Sequence, residues 1–253
     1  MFHNGRILGK KEDISYSSVE DFFEERGNSN LKHKYNYVLY LDDTPEIALQ
    51  RDKQAKEKIE RFLDIRKNMS VLDLGCGVGR WGELFCPKVA HYIGIDGSTK
   101  MIERAKENLS KFKNKELIVG NLREIENEIV AIHDENWQYD IVFICGVLMY
   151  LNDSEVIAVL KQLPALVNNG GQVCLIESMS QNTRLTLKDI YSEELKQNYS
   201  AIYRTEEEFL QMMKDAFGDK LMLERNVLMD FSDGMQRKRE HVTLEHCVIW
   251  RLL

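Results

Sequence analysis

The strongest chemical signal in the sequence is the run Asp73-Leu74-Gly75-Cys76-Gly77-Val78-Gly79-Arg80-Trp81-Gly82. It follows a short apolar stretch, Val71-Leu72-Asp73-Leu74, and opens a helix. Glycines at such a turn let a ligand lie against bare backbone, where any Cβ would collide. Asp96 closes the next apolar run, Tyr92-Ile93-Gly94-Ile95, seventeen residues past Gly79. A carboxylate at that position can accept both hydroxyls of a ribose. Together the glycine turn and the acidic strand end predict a ligand that contains a nucleoside.

Two ligands satisfy this pattern. A dinucleotide would rest its pyrophosphate on the helix amino terminus. S-adenosylmethionine has the same nucleoside with a methionine in place of the phosphates. Gly77 to Gly82 fits G-x-G-x-x-G literally, so that motif does not choose between them. The wider phrase Asp-x-Gly-x-Gly-x-Gly resembles the first motif of the class I S-adenosylmethionine-dependent methyltransferases. Gly94-Ile95-Asp96-Gly97-Ser98 resembles their second motif, and Gly120-Asn121-Leu122 their adenine-side loop. Tyr139 to Leu148 resembles their fourth-strand motif, and Gly170-Gly171 precedes the fifth strand. The resemblance spans roughly residues 68–178. It implies a Rossmann-like α/β fold, S-adenosylmethionine as cofactor and S-adenosylhomocysteine as product; the cysteine spacing, separately, gives no sign of a metal.

The resemblance also implies site residues. Gly75, Gly77 and Gly79 would face the methionine portion, and Asp73 would reach its ammonium through water. Asp96 would bind the ribose. Ser98 and Met101 would lie near the adenine, with Asn121 and Leu122 at its edge. The backbone at Cys145 would accept from the ammonium, and Arg51 would clamp the carboxylate. Cys76, Trp81, Gly97 and Tyr40 complete the expected cofactor-binding set.

Methyl transfer is an in-line displacement at an activated centre, so the protein mainly has to position the acceptor. A neutral hydroxyl also needs a base, whereas an anionic acceptor wants Arg or Lys nearby. After the fourth strand the chain reads Cys145-Gly146-Val147-Leu148-Met149-Tyr150-Leu151. The Asn/Asp-Pro-Pro-Tyr/Phe loop of amino-methylases is missing, as is the Pro-Cys nucleophile of cytosine-C5 enzymes. Tyr150 stands where small-molecule members often have histidine; an unperturbed phenol is a poor base but a fair donor. Glu177, at the end of the fifth strand, and His241 are the other catalytic candidates. His246, Arg184, Tyr203, Arg204 and the run Arg237-Lys238-Arg239 are further candidates near the acceptor.

A narrower resemblance rests on Asp21 to Arg26, Tyr40 to Ala48, Arg51 to Lys53 and Gly79-Arg80-Trp81. These segments resemble methyltransferases of bacterial capsule and O-antigen biosynthesis, including O-methyl phosphoramidate modification. That implies a small anionic acceptor, phosphorylated or nucleotide-linked. Alternatives are an N-methyltransferase of a small amine, an RNA modifier, and a protein that binds S-adenosylmethionine without turnover.

The elements that must position these residues are legible in outline. Apolar runs at 71–74, 92–95, 117–119, 141–144 and 172–176 alternate with helical patterns, most clearly 98–112 and 154–167. That alternation predicts buried parallel strands and a doubly wound sheet. Helices are expected from Ser17, from Thr44-Pro45 to about Ile65, and from a capping box at Thr205 to Glu208. Strand-like stretches at 221–229 and 242–252, joined through Asp233-Gly234, predict a closing antiparallel pair. Residues 1–66 read as an N-terminal helical lid, and 67–253 as the core with an acceptor-site insertion near 178–205.

Composition agrees with one globular domain: 253 residues, 43% hydrophobic and 30% charged. The net charge of −7 disfavours a nucleic-acid partner. Five scattered cysteines, without zinc-like spacing, suit a reducing cytoplasm. No stretch reads as a signal peptide or membrane span, so membrane insertion is not expected; the oligomeric state stays open. The ribose assignment predicts that Asp96→Ala weakens S-adenosylmethionine binding by about 1.5–3 kcal/mol, the loss of charge-assisted hydrogen bonds. Calorimetry on the folded variant checks this, and unchanged affinity would refute the assignment.

Overall fold

A computed structural model describes residues 5–125, 127, 137–229 and 243–253. Its elements are β1 (Arg6–Leu8), α1 (Tyr16–Asn28), α2 (Asn36–Leu39), α3 (Pro45–Phe62), β2 (Ser70–Leu74), α4 (Gly82–Phe85), β3 (His91–Asp96), α5 (Thr99–Asn108) and β4 (Lys115–Val119). Then come β5 (Tyr139–Cys145), α6 (Asp153–Leu166), β6 (Val167–Ser180), β7 (Leu185–Ser192), β8 (Gln197–Tyr203), α7 (Glu206–Phe217), β9 (Leu221–Leu228) and β10 (Thr243–Leu252).

Seven strands form one sheet in the order β4-β3-β2-β5-β6-β10-β9. β2 to β6 are parallel. β10 runs antiparallel between β6 and β9. The apolar runs are continuous because both sheet faces are covered. On one face Leu72, Val142 and Leu175 pack with Val156 and Leu160 of α6 and Phe209 and Met213 of α7. On the other Val71, Ile141 and Phe143 meet Ala55 and Ile59 of α3 and Phe85 of α4. This is the mostly parallel α/β sheet with a closing antiparallel pair that the sequence pattern predicts.

Local starts and stops differ in detail. α1 begins at Tyr16 rather than Ser17, with Ser15 as the cap accepting from the Ser18 N–H. α3 ends at Phe62, short of Ile65, and Thr44 makes no side-chain cap bond. The box at Thr205 is complete: its hydroxyl accepts from Glu208 N–H, and the Glu208 carboxylate accepts from Thr205 N–H. Within the expected insertion, β7 and β8 form an antiparallel hairpin, and β1 adds to its edge as a second, three-stranded sheet.

The N-terminal helices are tied to the core by specific bonds. Arg104 of α5 donates to the carbonyls of Gly27 and Ser29. Gly27 permits this approach, since a Cβ there would meet Lys100 Cβ at 2.6 Å. Glu24 accepts from Ser98 Oγ at 2.6 Å and from Lys100 N–H at 3.3 Å. Arg26, 2% exposed, pairs with Asp42 at 2.6 Å and bonds the carbonyls of Asn36 and Tyr37. No helix among the described residues is long and apolar enough to cross a membrane.

Candidate functional site

The glycine turn leaves β2 with Gly75, Gly77 and Gly79 all at positive φ (76°, 53° and 76°), a conformation in which side chains are strained. Gly75 has a second reason to be glycine. A Cβ there would stand 2.3 Å from Val147 Cγ2, so the segment after β5 lies directly against the turn. Asp96, at the end of β3, fastens this arrangement. Its carboxylate accepts from Gly77 N–H at 2.8 Å and from Ser98 N–H at 2.9 Å. Desolvation raises the carboxyl above its usual range, and those two N–H bonds oppose the rise.

A cavity of about 1480 Å³ opens at this end of the sheet. Of the expected cofactor residues, Tyr40, Arg51, Gly75, Cys76, Gly77, Trp81, Asp96, Gly97, Ser98, Met101, Leu122 and Cys145 line it, and so does Tyr150. Four other expected residues lie outside the lining, each for a physical reason. Asp73 is 1% exposed and accepts from Tyr92 Oη at 2.6 Å; burial pushes its carboxyl up to about 7. Gly79 faces α5, where a Cβ would meet Leu109 Cδ1 at 2.9 Å. The Asn121 side chain accepts from Arg123 N–H at 3.0 Å and so caps the turn Leu122–Glu124. Glu177 is 3% exposed and turns toward the backbone of the segment after β5. His241 and Arg237 to Arg239 lie outside the described residues.

Glu177 and Arg204 hold the segment that carries Tyr150. The N–H groups of Val147 and Leu148 donate to Glu177 Oε1 at 2.9 and 2.8 Å. Arg204, 3% exposed, donates to the carbonyls of Leu148 and Leu151 at 2.9 and 2.8 Å and to Asp153 at 2.9 Å. Arg184 also binds Asp153, at 2.8 Å. Arg184, Arg204 and Glu177 are therefore structural anchors and not cavity groups. His246 is outside the lining too, 4.0 Å from the Glu206 carboxylate, whereas Tyr203 lines the cavity. Tyr150 is 7% exposed; burial pushes its phenol well above the ordinary value, so it stays neutral and acts as a donor or acceptor.

Sequence reasoning assigned no role to Arg80, which lines the cavity at 6% exposure. Its guanidinium donates to Asp52 at 3.1 Å and to Cys145 Sγ at 3.4 Å, and it lies 4.4 Å from the Trp81 ring centre. A cation directly after a glycine turn was the available signal. Phe23 and Glu24, within the segment Asp21 to Arg26, and Tyr199, which no motif marks, also line the cavity.

The lining fits S-adenosylmethionine in donor and acceptor type. Asp96 offers acceptors for ribose hydroxyls, Met101 and Leu122 an apolar bed for adenine, and Arg51 and Arg80 cations for a carboxylate. The bare backbone at Gly75 and Gly77 admits close approach. Comparison with known proteins agrees. Residues 71–171 match a family model described as a methyltransferase domain. Demethylmenaquinone methyltransferase of Staphylococcus aureus (strain MRSA252) is 27% identical over 166 residues, covering 64% of this chain and 63% of that protein. The match therefore spans just under two thirds of that relative. Phosphoethanolamine N-methyltransferase 1 of Haemonchus contortus, solved with phosphoethanolamine and S-adenosylhomocysteine, superposes with a TM-score of 0.69 at 16% identity. It covers 93% of this chain and 48% of that one. Magnesium protoporphyrin IX methyltransferase of Synechocystis PCC 6803, solved with S-adenosylmethionine, gives 0.60 at 15% identity, over 96% and 100% of the two chains.

Glu177 yields a pH prediction. Burial lifts its carboxyl from 4.5 to about 7, against the N–H bonds of Leu148 and Val147. A raised carboxyl favours folding most below pH 4.5, and that contribution is lost as pH rises through about 7. The loss is on the order of 3 kcal/mol. Glu177→Gln keeps an acceptor for both N–H groups and removes the titration. Asp73 shifts the same way in both proteins, so the difference between their melting curves isolates Glu177. Wild type should lose stability relative to the variant between about pH 5 and 7.5, and parallel curves would contradict this.

Proposed function

We propose that this chain, whose residues 71–171 form a methyltransferase domain on a Rossmann-like fold, is an S-adenosylmethionine-dependent enzyme that O-methylates a small, nucleotide-linked or phosphorylated acceptor in surface-polysaccharide synthesis. The observation that carries this reading is the continuity of one cavity. It runs from Asp96 and Gly77 to Tyr150 and Tyr199, so cofactor and acceptor would meet in a single chamber. Bound there, S-adenosylmethionine supplies a methyl group already activated on sulfonium.

What the chain's own residues contribute is placement. Asp96 accepts from ribose hydroxyls while keeping the glycine turn in place. Arg51 and Arg80 face a carboxylate. Phe23, Tyr40 and Glu24, from the N-terminal helical segment, wall the chamber and would act as a lid that excludes water. The methyl group passes to the acceptor oxygen as its bond to sulfur breaks, leaving S-adenosylhomocysteine, and the hydroxyl proton passes to water or to a lining carboxylate, since Tyr150 is a buried neutral phenol and Glu177 lies outside the lining. Orientation then makes the largest contribution.

Among the described lining residues the carboxylates Glu20, Asp21, Glu24, Asp96, Glu194 and Glu245 outnumber the cations Arg51 and Arg80. This supports a neutral reacting end. For the anionic part of the acceptor the sequence offers Arg237-Lys238-Arg239, which lie outside the described residues. The same carboxylates favour a second reading, transfer to a small amine. A screen with S-adenosylmethionine separates the two: nucleoside diphosphate hexoses, hexose phosphates and small amines, followed by mass spectrometry of S-adenosylhomocysteine. Product with nucleotide-linked or phosphorylated sugars is expected. Product with amines alone supports the second reading, and cofactor binding without any product supports a non-catalytic binder.

A further inference from the structure

Tyrosine hydroxyls from three separate parts of the chain meet in the cavity. Tyr40 follows α2, Tyr150 sits after β5, and Tyr199 and Tyr203 lie on β8. Tyr40 Oη is 2.5 Å from Tyr150 Oη, Tyr150 Oη is 3.1 Å from Tyr199 Oη, and Tyr199 Oη is 3.1 Å from Tyr203 Oη. All four residues line the chamber. We propose that these hydroxyls form the acceptor subsite and select a neutral, sugar-type hydroxyl over phosphate or ammonium. The proposal rests on the methyltransferase reading and names the chemistry of its acceptor.

The backbone is distorted to build this cluster. Tyr40 and Leu41 both adopt positive φ, 61° and 55°, although neither is glycine. Such conformations persist only where surrounding bonds hold them. Here Asn36, 0% exposed, donates through Nδ2 to the carbonyls of Tyr40 at 2.7 Å and Leu41 at 3.0 Å. Edge-to-face packing fixes the rings: Phe23 on Tyr150 at 4.9 Å and Phe22 on Tyr199 at 5.6 Å between centres. A purely apolar wall would need neither the strained backbone nor a run of aligned hydroxyls.

Hydrogen-bond counting sets the ligand class. Each phenol brings one proton and two lone pairs. The mutual bonds use up most of the protons and leave lone pairs in surplus. Such a site suits a ligand group that donates. Phosphate oxygens only accept, and the carboxylates of Glu20, Asp21, Glu24 and Glu194 give the same cavity a negative charge that disfavours them. Ammonium donates but wants a charged acceptor, and among the described residues no carboxylate is bonded to the hydroxyls of Tyr40, Tyr150 or Tyr199. Burial raises these three phenols and keeps them neutral. A sugar hydroxyl both donates and accepts, as they do. Leu187 and Ile190 offer apolar surface to the C–H face of a ring.

The test is calorimetry on protein loaded with S-adenosylhomocysteine. UDP-, GDP-, CDP- and dTDP-glucose are each compared with the bare nucleoside diphosphate, with ethanolamine and phosphoethanolamine alongside. At least one glucose-bearing ligand should bind about tenfold tighter than its nucleotide. Tyr199→Phe, which retains the ring packing, should cut that preference about five- to tenfold while leaving S-adenosylhomocysteine affinity unchanged. Tyr203→Phe replaces it should Tyr199→Phe not fold. The subsite is overturned by any of four results: no preference in any pair, a preference that survives the variant, tighter binding of either amine, or an equal loss of S-adenosylhomocysteine affinity in the variant. Failure of folded wild type to bind S-adenosylhomocysteine instead removes the methyltransferase reading beneath it.

Discussion

The site depends on one carboxylate. Asp96 stands at the carboxyl end of β3, and its two oxygens take the N–H of Gly77 and the N–H of Ser98. It thereby joins the glycine turn after β2 to the start of α5. A partly buried carboxylate must find donors, and these two backbone groups supply them. Gly77 in turn needs positive φ, and Gly75 needs to lack a Cβ because Val147 presses against it. The turn, the helix start and the segment after β5 form one unit. Ser98 completes it by accepting from Met101 N–H while donating to Glu24 of α1, so the N-terminal helices engage the same unit.

A second constraint holds the opposite wall. Glu177 takes the N–H groups of Val147 and Leu148, and Arg204 takes the carbonyls of Leu148 and Leu151. Two buried side chains of opposite sign thus satisfy the donors and acceptors of a segment that no sheet pairs. Removing either would leave buried backbone groups without partners, a costly situation in a protein interior. With Glu177 and Arg204 committed to backbone, the polar chemistry of that wall falls to tyrosine hydroxyls.

The sheet was legible because strands covered on both faces write continuous apolar runs, as at 71–74 and 141–144. The glycine turn and Asp96 were legible because backbone approach and strand-end acidity have few substitutes. Glu177 was misjudged for a specific reason. β6 continues to Ser180, and β10 pairs along it with His246 opposite Glu177. The residue lies inside a strand and not at its rim. Asn121 and Asp73 lie outside the lining: Asn121 accepts from Arg123 N–H, and Asp73 is buried with one oxygen on Tyr92 Oη. Tyr40, Tyr150 and Tyr203 were each marked in the sequence, but not Tyr199 and not their meeting in one cluster. Tyr40 and Tyr150 are 110 positions apart, and only the fold brings their hydroxyls to 2.5 Å.

The most direct test is a crystal structure of the protein with S-adenosylmethionine. Both ribose hydroxyls should lie within hydrogen-bond distance of the Asp96 carboxylate, with the Gly77 N–H still bonded to it and the methyl group directed toward the tyrosine hydroxyls. A ribose bound elsewhere in the cavity, with Asp96 contacting only Gly77 and Ser98, would contradict this.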